Sequence, residues 1–416
     1  MTFSADDGRL PGRVLLVGAN YWPEESGNAP YSTGLAEDLA AHGVEVTVLC
    51  AMPHYPQWRI RDGYRGRLRV RETHGGVRLI RSWLWVPKRQ SAVQRALFEG
   101  SFLMSTLIVR HLRRPDVVVG VTPSLSGAVL ARVMASRFRV SYGLIVQDLV
   151  GPGALQSGMS GGERVAGLVR FAERWALSGA RSVAIVSKGF ESYLHELGIE
   201  HERIVRIPNW SHIPRSEADP GEVRRRFGLP EAVPLVLHAG AMGLKQGLEQ
   251  VVDAARLNQE QGGSLCFVLV GDGSQRESLE RRARGLLNVF FLTQQPADLY
   301  ADLLIAADIL LLSERPGMVN MSLPGKLTSY VSAGRPIVAA VAPNGSTAAE
   351  IEESGCGTVA PAGDAAALLA VLGRLQNDGA EAHSLLEAGS SYEGRVLDRS
   401  RSLGEYRSFI REVSAK

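Results

Sequence analysis

Lys326 falls in the first turn of a helix that the residue pattern predicts over 323–333. The loop before it carries Glu314, Gly317, Met318, Val319 and Asn320. The first turn of a helix has unpaired N–H groups and a partial positive charge, which together stabilise a nearby anion. Ser322 caps the helix in this reading, and Pro324 near its start loses no helical hydrogen bond. Lys326 adds a full charge to the partial one, and the backbone amides of 317–322 add donors, so a diphosphate suits the place. Strand, loop, helix and strand are also ordinary α/β grammar, and a lysine on a first turn is often only solvated. This segment alone leaves both readings open.

The elements that must hold these residues repeat in two halves. In the first, apolar β-rich runs at 13–19, 44–50, 115–122, 138–148 and 180–187 alternate with helix-length segments, of which 31–43 ends on a glycine. The second half starts again after the Pro-rich stretch 207–220. Its strands are expected at 234–241, 264–273, 289–293, 308–313 and 335–341, with helices at 246–260, 275–285, 298–306 and 323–333. This is parallel-sheet grammar. With 416 residues the chain is long for one core, so two domains are expected. The predicted architecture is α/β: two Rossmann-like, doubly wound parallel-sheet domains facing a cleft. They cover 1–208 and 221–390, with a linker at 209–220 and a C-terminal helix from 391–416 packing back on the first domain.

Composition narrows the setting. Cys50, Cys266 and Cys356 lack metal-ligand spacing and read as buried thiols of a reducing compartment. The polar first residues do not resemble a signal peptide, and no apolar run reaches spanning length, so a cytoplasmic protein is expected. The net charge of +3 conceals an asymmetry: residues 56–115 hold 13 Arg and 1 Lys against Asp62, Glu72 and Glu99, a local +11. Trp58, Trp83 and Trp85 lie among these cations, and an apolar helix-like run at 96–114 ends in a basic cluster. That combination suits the surface of an anionic membrane; a solvated face over a core helix is the plain alternative. No helix-turn-helix, zinc-finger or RNA-recognition pattern accompanies the block, so nucleic acid is not expected as a partner.

A doubly wound layout invites a dinucleotide cofactor. The first turn, VGANYWPEESGNAP, has no Gly-x-Gly-x-x-Gly directly after the strand, and VTVLCAMPHYP offers no acid for a ribose hydroxyl. Nicotinamide binding there is not expected. Gly27, Asn28 and Ala29 instead precede a helix, where a substrate could approach the backbone.

The ordered set VLLVGANYWPEESGNAPYSTGLAEDLAAHGVEVTVLCAMPHYP, GYRGR with HGGVRLIRSW, VQDL, HAGAMGLKQGLEQVVDA, VGDGSQRESLE and LPGKLTSYVSAGRPIVAA resembles a known family. It is similar to the GT-B retaining glycosyltransferases of family 4, in particular the bacterial polysaccharide branch that includes colanic-acid and L-fucosamine transferases. The resemblance runs over nearly the whole chain. It implies a nucleotide-sugar donor, a UDP-sugar by family habit, bound mainly by the second domain. It further implies an acceptor, of the polyprenyl-diphosphate-linked saccharide kind, held by the first domain at the inner membrane face. It implies Lys245 and Lys326 against the donor diphosphate, Met318, Val319 and Asn320 giving backbone amides, and Glu314 facing the sugar hydroxyls. Gly271 and Gly273 would shape the floor beside the nucleotide. No metal is expected, because the cations and the helix terminus neutralise the departing phosphate, and no other cofactor is implied.

Two positions depart from the family pattern. Where many members carry a second glutamate for the ribose, one count gives Ser322 and the other Ser329; the Ser329 alignment preserves the helix and its Gly-Arg-Pro exit. Gln147-Asp148 stands where many members have His-Asp, which fits the polysaccharide branch. Asp148 is the candidate for orienting acceptor or donor hydroxyls, and His54 for touching acceptor or phosphate. Two other classes share the plan: a UDP-sugar 2-epimerase-like isomerase, and a non-catalytic partner subunit.

Overall fold

The computed structural model describes residues 9–87, 91–151, 162–319 and 324–415. The chain divides into two compact units, the first ending at Asn209 and taking in the segment from Arg399, the second beginning at Trp210 and ending at Asp398. Trp210, within the stretch expected as a linker, is buried.

The first unit is built from Arg13–Val17 (β1), Ala29–Ala41 (α1), Glu45–Ala51 (β2), Arg69–His74 (β3) and Val77–Ser82 (β4). Ala92–Leu107 (α2), Val117–Val121 (β5), Leu125–Phe138 (α3), Ser141–Val146 (β6) and Gly162–Ser178 (α4) follow. Ser182–Ile185 (β7), Glu191–Glu196 (α5) and Ile204–Arg206 (β8) complete its strands. Its sheet runs β3-β4-β2-β1-β5-β6-β7-β8, parallel throughout except for the β3/β4 hairpin closed by Gly75 and Gly76. The runs of Val, Ile and Leu in β1, β5 and β6 are buried because helices cover both faces of a parallel sheet.

The β3/β4 hairpin was not expected from the sequence, where its arginines read as a charged surface. Arg81 of β4 is instead fully buried: its Nε donates to Glu72 Oε1 at 2.5 Å, its Nη1 to the Ala51 carbonyl at 3.3 Å, and its Nη2 to the Trp22 carbonyl. Trp58 likewise packs inward, against His54, Tyr55 and Phe98. The helix expected at 96–114 is shifted: α2 starts at Ala92 behind Ser91, whose hydroxyl accepts from the Gln94 amide, and ends at Leu107. Capping chemistry decided the start.

The second unit contains Pro220–Arg226 (α6), Leu235–Ala239 (β9), Glu249–Glu260 (α7), Cys266–Val270 (β10) and Arg276–Arg282 (α8). Val289–Leu292 (β11), Ala297–Ala306 (α9), Ile309–Ser313 (β12), Lys326–Ser332 (α10) and Ile337–Val341 (β13) come next. Ser346–Ser354 (α11), Gly357–Pro361 (β14), Ala365–Asn377 (α12) and Gly379–Val396 (α13) end it. Its sheet is wholly parallel, in the order β11-β10-β9-β12-β13-β14. Cys266 and Cys356 are buried in its core and Cys50 in that of the first unit, all three unpaired.

The last helix, Arg399–Ser414 (α14), belongs to the first unit. It lays Tyr406, Phe409, Ile410 and Val413 against β5, β6 and β7, and Arg407 reaches Asp38 of α1 at 2.6 Å. Among the described residues no helix is long and apolar enough to cross a membrane.

Candidate functional site

Both sheets are wound outward from a middle pair of strands, and in such sheets ligands bind beyond the carboxyl ends of the strands where the winding reverses. In the second unit that pair is β9 and β12. Of the residues singled out from the sequence, Lys245, Glu314, Gly317, Met318 and Val319 lie on the loops leaving these two strands, and Lys326 opens the helix that follows the second.

Helix α10 is placed there by Tyr330, which is fully buried and whose hydroxyl accepts from the Ala239 amide at 2.8 Å, at the end of β9. Lys326, one turn earlier on the same helix face, meets the neighbouring residue: its Nζ lies 3.2 Å from His238 Nε2. His238 is fully buried, and its Nδ1 lies 3.1 Å from the Leu311 carbonyl. That carbonyl fixes the proton on Nδ1 and leaves Nε2 to accept from the lysine. Burial, with the lysine charge beside it, drives the His238 pKa well below the ordinary value, so the ring is neutral. Burial also pulls the Lys326 ammonium down to about 7, with Glu314 opposing the shift. The lysine reaches this position past Gly240, where a Cβ would stand 2.9 Å from Nζ. His238 gave no signal in the sequence beyond a histidine at a strand end.

The expected helix start is corrected. α10 begins at Lys326 with Gly325 at its cap and no side-chain cap bond. Ser322, the expected cap, and Asn320, an expected donor contact, lie outside the described residues. The positive element here is therefore the lysine itself more than a long helix end.

Glu314, at the end of β12, is half-buried and accepts from Thr347 Oγ1 at 2.7 Å in the first turn of α11. Burial raises its pKa, while Thr347 and the Lys326 charge oppose the rise. Lys245 sits on the exposed turn after β9, and its carbonyl accepts from the Arg315 amide at 2.8 Å. Ser313 Oγ donates to the Gln246 carbonyl at 2.7 Å, and buried Gln250 donates to Ser313 Oγ at 2.9 Å and to the Glu314 carbonyl at 3.1 Å. The two loops are thus stitched side by side, which brings the Lys245 backbone next to Arg315. Gln250 and Thr347 also escaped the sequence reading; neither residue type stands out on a helix.

Gly317 is exposed, and Met318 and Val319 are half-buried in the same loop. The Val319 carbonyl accepts from the Ser346 amide at 2.9 Å, tying the loop to α11. Ser329 is buried within α10. Gly271 and Gly273 leave β10 next to the exit of β9: the Met242 amide donates to the Asp272 carbonyl at 2.8 Å. At Gly271, φ is +138° and a Cβ would fall 1.9 Å from the Gly240 oxygen, so only glycine fits.

In the first unit the winding reverses between β1 and β5. Asn28, at the cap of α1, spans these ends by donating from Nδ2 to the Thr122 carbonyl at 3.2 Å. Gly27, beside it, faces the Tyr55 ring. Asp148, leaving β6, accepts at its carbonyl from Thr122 Oγ1 at 3.1 Å, and its charge contributes to raising the pKa of Tyr55, which burial raises most. His54 is turned inward: its Nδ1 lies 2.9 Å from the Met52 carbonyl and its ring against Phe98. Burial lowers its pKa, although Glu24 opposes the shift. Glu24 is the unanticipated organiser here. It is a buried carboxylate accepting from the His54 and Tyr55 amides at 2.7 and 2.8 Å and from Asn20 Nδ2 at 2.8 Å.

A cluster of metal-ligating residue types lies elsewhere in the first unit. Ligand atoms of Glu191, His195 and His201 come within 4.8 Å of one another. None of these residues belongs to the loops above.

Residues 26–210 match the family model described as a glycosyl transferase 4-like domain, and 233–378 match that of glycosyl transferases group 1. The chain is 35% identical over 335 residues to the putative colanic acid biosynthesis glycosyl transferase WcaI of Escherichia coli, covering 77% of this chain and 81% of that one. Its structure is similar to sucrose-phosphate synthase from Thermosynechococcus elongatus, with a TM-score of 0.74 at 17% identity over 96% of this chain and 98% of that one. It is also similar to HepE of Anabaena, solved with UDP and glucose, with a TM-score of 0.67 at 15% identity over 96% and 99%. At such identities the two structures speak for the fold, while the family models and the bacterial relative carry the assignment: the chain is a GT-B glycosyltransferase and belongs to the family with a 4-like first domain and a group 1 second domain.

Proposed function

We propose that this glycosyltransferase moves a hexose or aminohexose, with retention at the anomeric carbon, from a UDP-sugar to a lipid-linked saccharide in cell-surface polysaccharide biosynthesis. The observation that carries the donor half is the lysine of α10 held against a neutral, buried histidine at the winding reversal of the second sheet. When the bond from the anomeric carbon to the diphosphate breaks, negative charge gathers on the β-phosphate. Lys326 and Lys245 stabilise that charge, and the amides of 317–319 add neutral donors. The acceptor hydroxyl forms the new bond on the same face, and its proton passes to the leaving phosphate oxygen. Glu314, half-buried and fixed by Thr347, takes the sugar hydroxyls. Ser329 stands in for the absent ribose acid, and Gly271 and Gly273 floor the nucleotide.

The acceptor falls to the first unit, where Gly27 and Asn28 offer backbone near α1. Asp148 orients a hydroxyl, and His54 acts from beneath by holding the Tyr55 loop. The UDP and glucose bound to HepE support the choice of a UDP-sugar, and the name of WcaI supports the polysaccharide role. The basic stretch 56–115 supports a peripheral position at an anionic, inner membrane face. No step uses a metal ion.

The experiment is to incubate the protein with a panel of UDP-sugars and follow nucleotide release with and without a polyprenyl-diphosphate-linked saccharide. Release that depends on the acceptor is expected. Isomerised donor without acceptor would make it a 2-epimerase, and neither outcome would make it a partner subunit. Lys326→Ala and Lys245→Ala should each lower turnover about 10²- to 10³-fold, as losing one preorganised charge donor does; near-wild-type rates would remove them from the mechanism.

A further inference from the structure

Helix α2 turns Val93, Leu97, Met104 and Ile108 at its carboxyl end to solvent, with exposures of 61%, 55%, 63% and 66%. The positions recur at helical spacing, so they form one stripe. Helix α4 repeats the arrangement with Leu168, Phe171 and Trp175, exposed by 69%, 68% and 37%. Both helices pack on α3 and touch each other, so the stripes lie on one outer layer of the first unit. An exposed apolar surface of this kind marks an interaction site.

The charges around it point to the partner. Glu99 of α2 is turned inward, accepting from Ser124 Oγ at 2.9 Å and from the Ser126 amide at 3.1 Å. Glu173 of α4 is buried, accepting from the Val150 amide at 3.0 Å and from Tyr193 at 2.6 Å. Arg110 and Arg114 beyond α2 and Arg174 on α4 are exposed, while Arg95 pairs with the inward Glu99 at 2.7 Å, Arg113 with Glu45 at 2.8 Å, and Arg170 lies 3.9 Å from Glu196. Arg132 of α3 lies 4.3 Å from the Trp175 ring centroid. Apolar side chains flanked by arginine, with Glu99 and Glu173 of the two helices withdrawn, complement an anionic lipid surface.

We infer that α2 and α4 together form a two-helix platform that lies in the interface of an anionic bilayer, an inference that deepens the proposed reading of a membrane-borne acceptor. It adds α4, outside the basic stretch, and assigns the apolar contact to Leu97, Met104, Leu168 and Phe171 in place of the inward-packed Trp58.

The test is co-sedimentation of the full chain with vesicles of phosphatidylglycerol and phosphatidylethanolamine, against vesicles of phosphatidylcholine alone. Leu97→Glu and Phe171→Glu change exposed side chains, and their melting curves and UDP binding should match wild type. Each should weaken partitioning about tenfold or more, since a large apolar side chain no longer leaves water, and added salt should weaken it further. Wild-type partitioning in both variants would overturn the platform, as would a wild-type protein that ignores anionic vesicles. A concentration-dependent dimer lost in Phe171→Glu without any vesicle binding would give the surface to a second copy and equally overturn it. Vesicle binding that depends on Phe171 in a protein that transfers no sugar to the lipid acceptor would uphold the platform and sink the acceptor assignment alone.

Discussion

At the scale of single residues, the proposed donor site rests on what surrounds Lys326. A lysine in water keeps its charge to high pH; here burial lowers its pKa to about 7 before any donor arrives, and only Glu314 opposes that. A diphosphate binds the ammonium form and raises its pKa in the complex. Between the two values the free lysine is neutral and the bound one charged, so binding takes up one proton. The dissociation constant of UDP is therefore expected to rise as pH climbs above 7, by up to about tenfold per unit, measured by titration calorimetry from pH 6 to 9. Lys326→Arg, which keeps its charge throughout, should flatten the profile; a flat wild-type profile would contradict the account. The lysine was legible in the sequence because it sits where a loop enters a helix. Its partner His238 was not, since a strand-end histidine has the same local sequence whether it faces a lysine or a core carbonyl. Glu24 was missed for a related reason: its role depends on the amides of His54 and Tyr55, thirty residues away in sequence.

At the scale of elements, strands were legible and their irregular neighbours less so. The apolar runs of β1, β5, β9, β10, β12 and β13 announce themselves because both faces of a parallel sheet are buried. The β3/β4 hairpin did not, because arginines and other polar residues interrupt its few apolar ones and its burial comes from tertiary partners of Arg81. The turn after β10 shows how a site can depend on a missing atom. Gly271→Ala places a methyl into the Gly240 carbonyl and should cost at least about 2 kcal/mol, read as a lowered midpoint in chemical denaturation, with loss of donor binding. Gly373→Ala is the contrast. It lies inside α12 with open space around its Cβ, and should stabilise by about 0.5–1 kcal/mol. If both changes behaved alike, close approach of the β9 and β10 exits would not be the reason for the glycine.

At the scale of the whole molecule, the two-sheet plan and the family were readable in the order of motifs, while the placement of α14 depends on side chains that meet only in the fold. Phe409 is fully buried, and Gly143 on β6 leaves room for its ring: a Cβ there would come within 2.7 Å. Phe409→Ala should destabilise the first unit by about 3–5 kcal/mol, seen as an earlier loss of structure in residues 9–209 by hydrogen exchange while the second unit's exchange is unchanged. Equal protection in both proteins would mean the helix is an ornament. The return of α14 has a further consequence for synthesis. A ribosome makes the first unit's sheet early but releases its covering helix only after the whole second unit has emerged. The strands β5 to β7 must wait with an apolar face uncovered, and the first domain to be translated is the last to be finished.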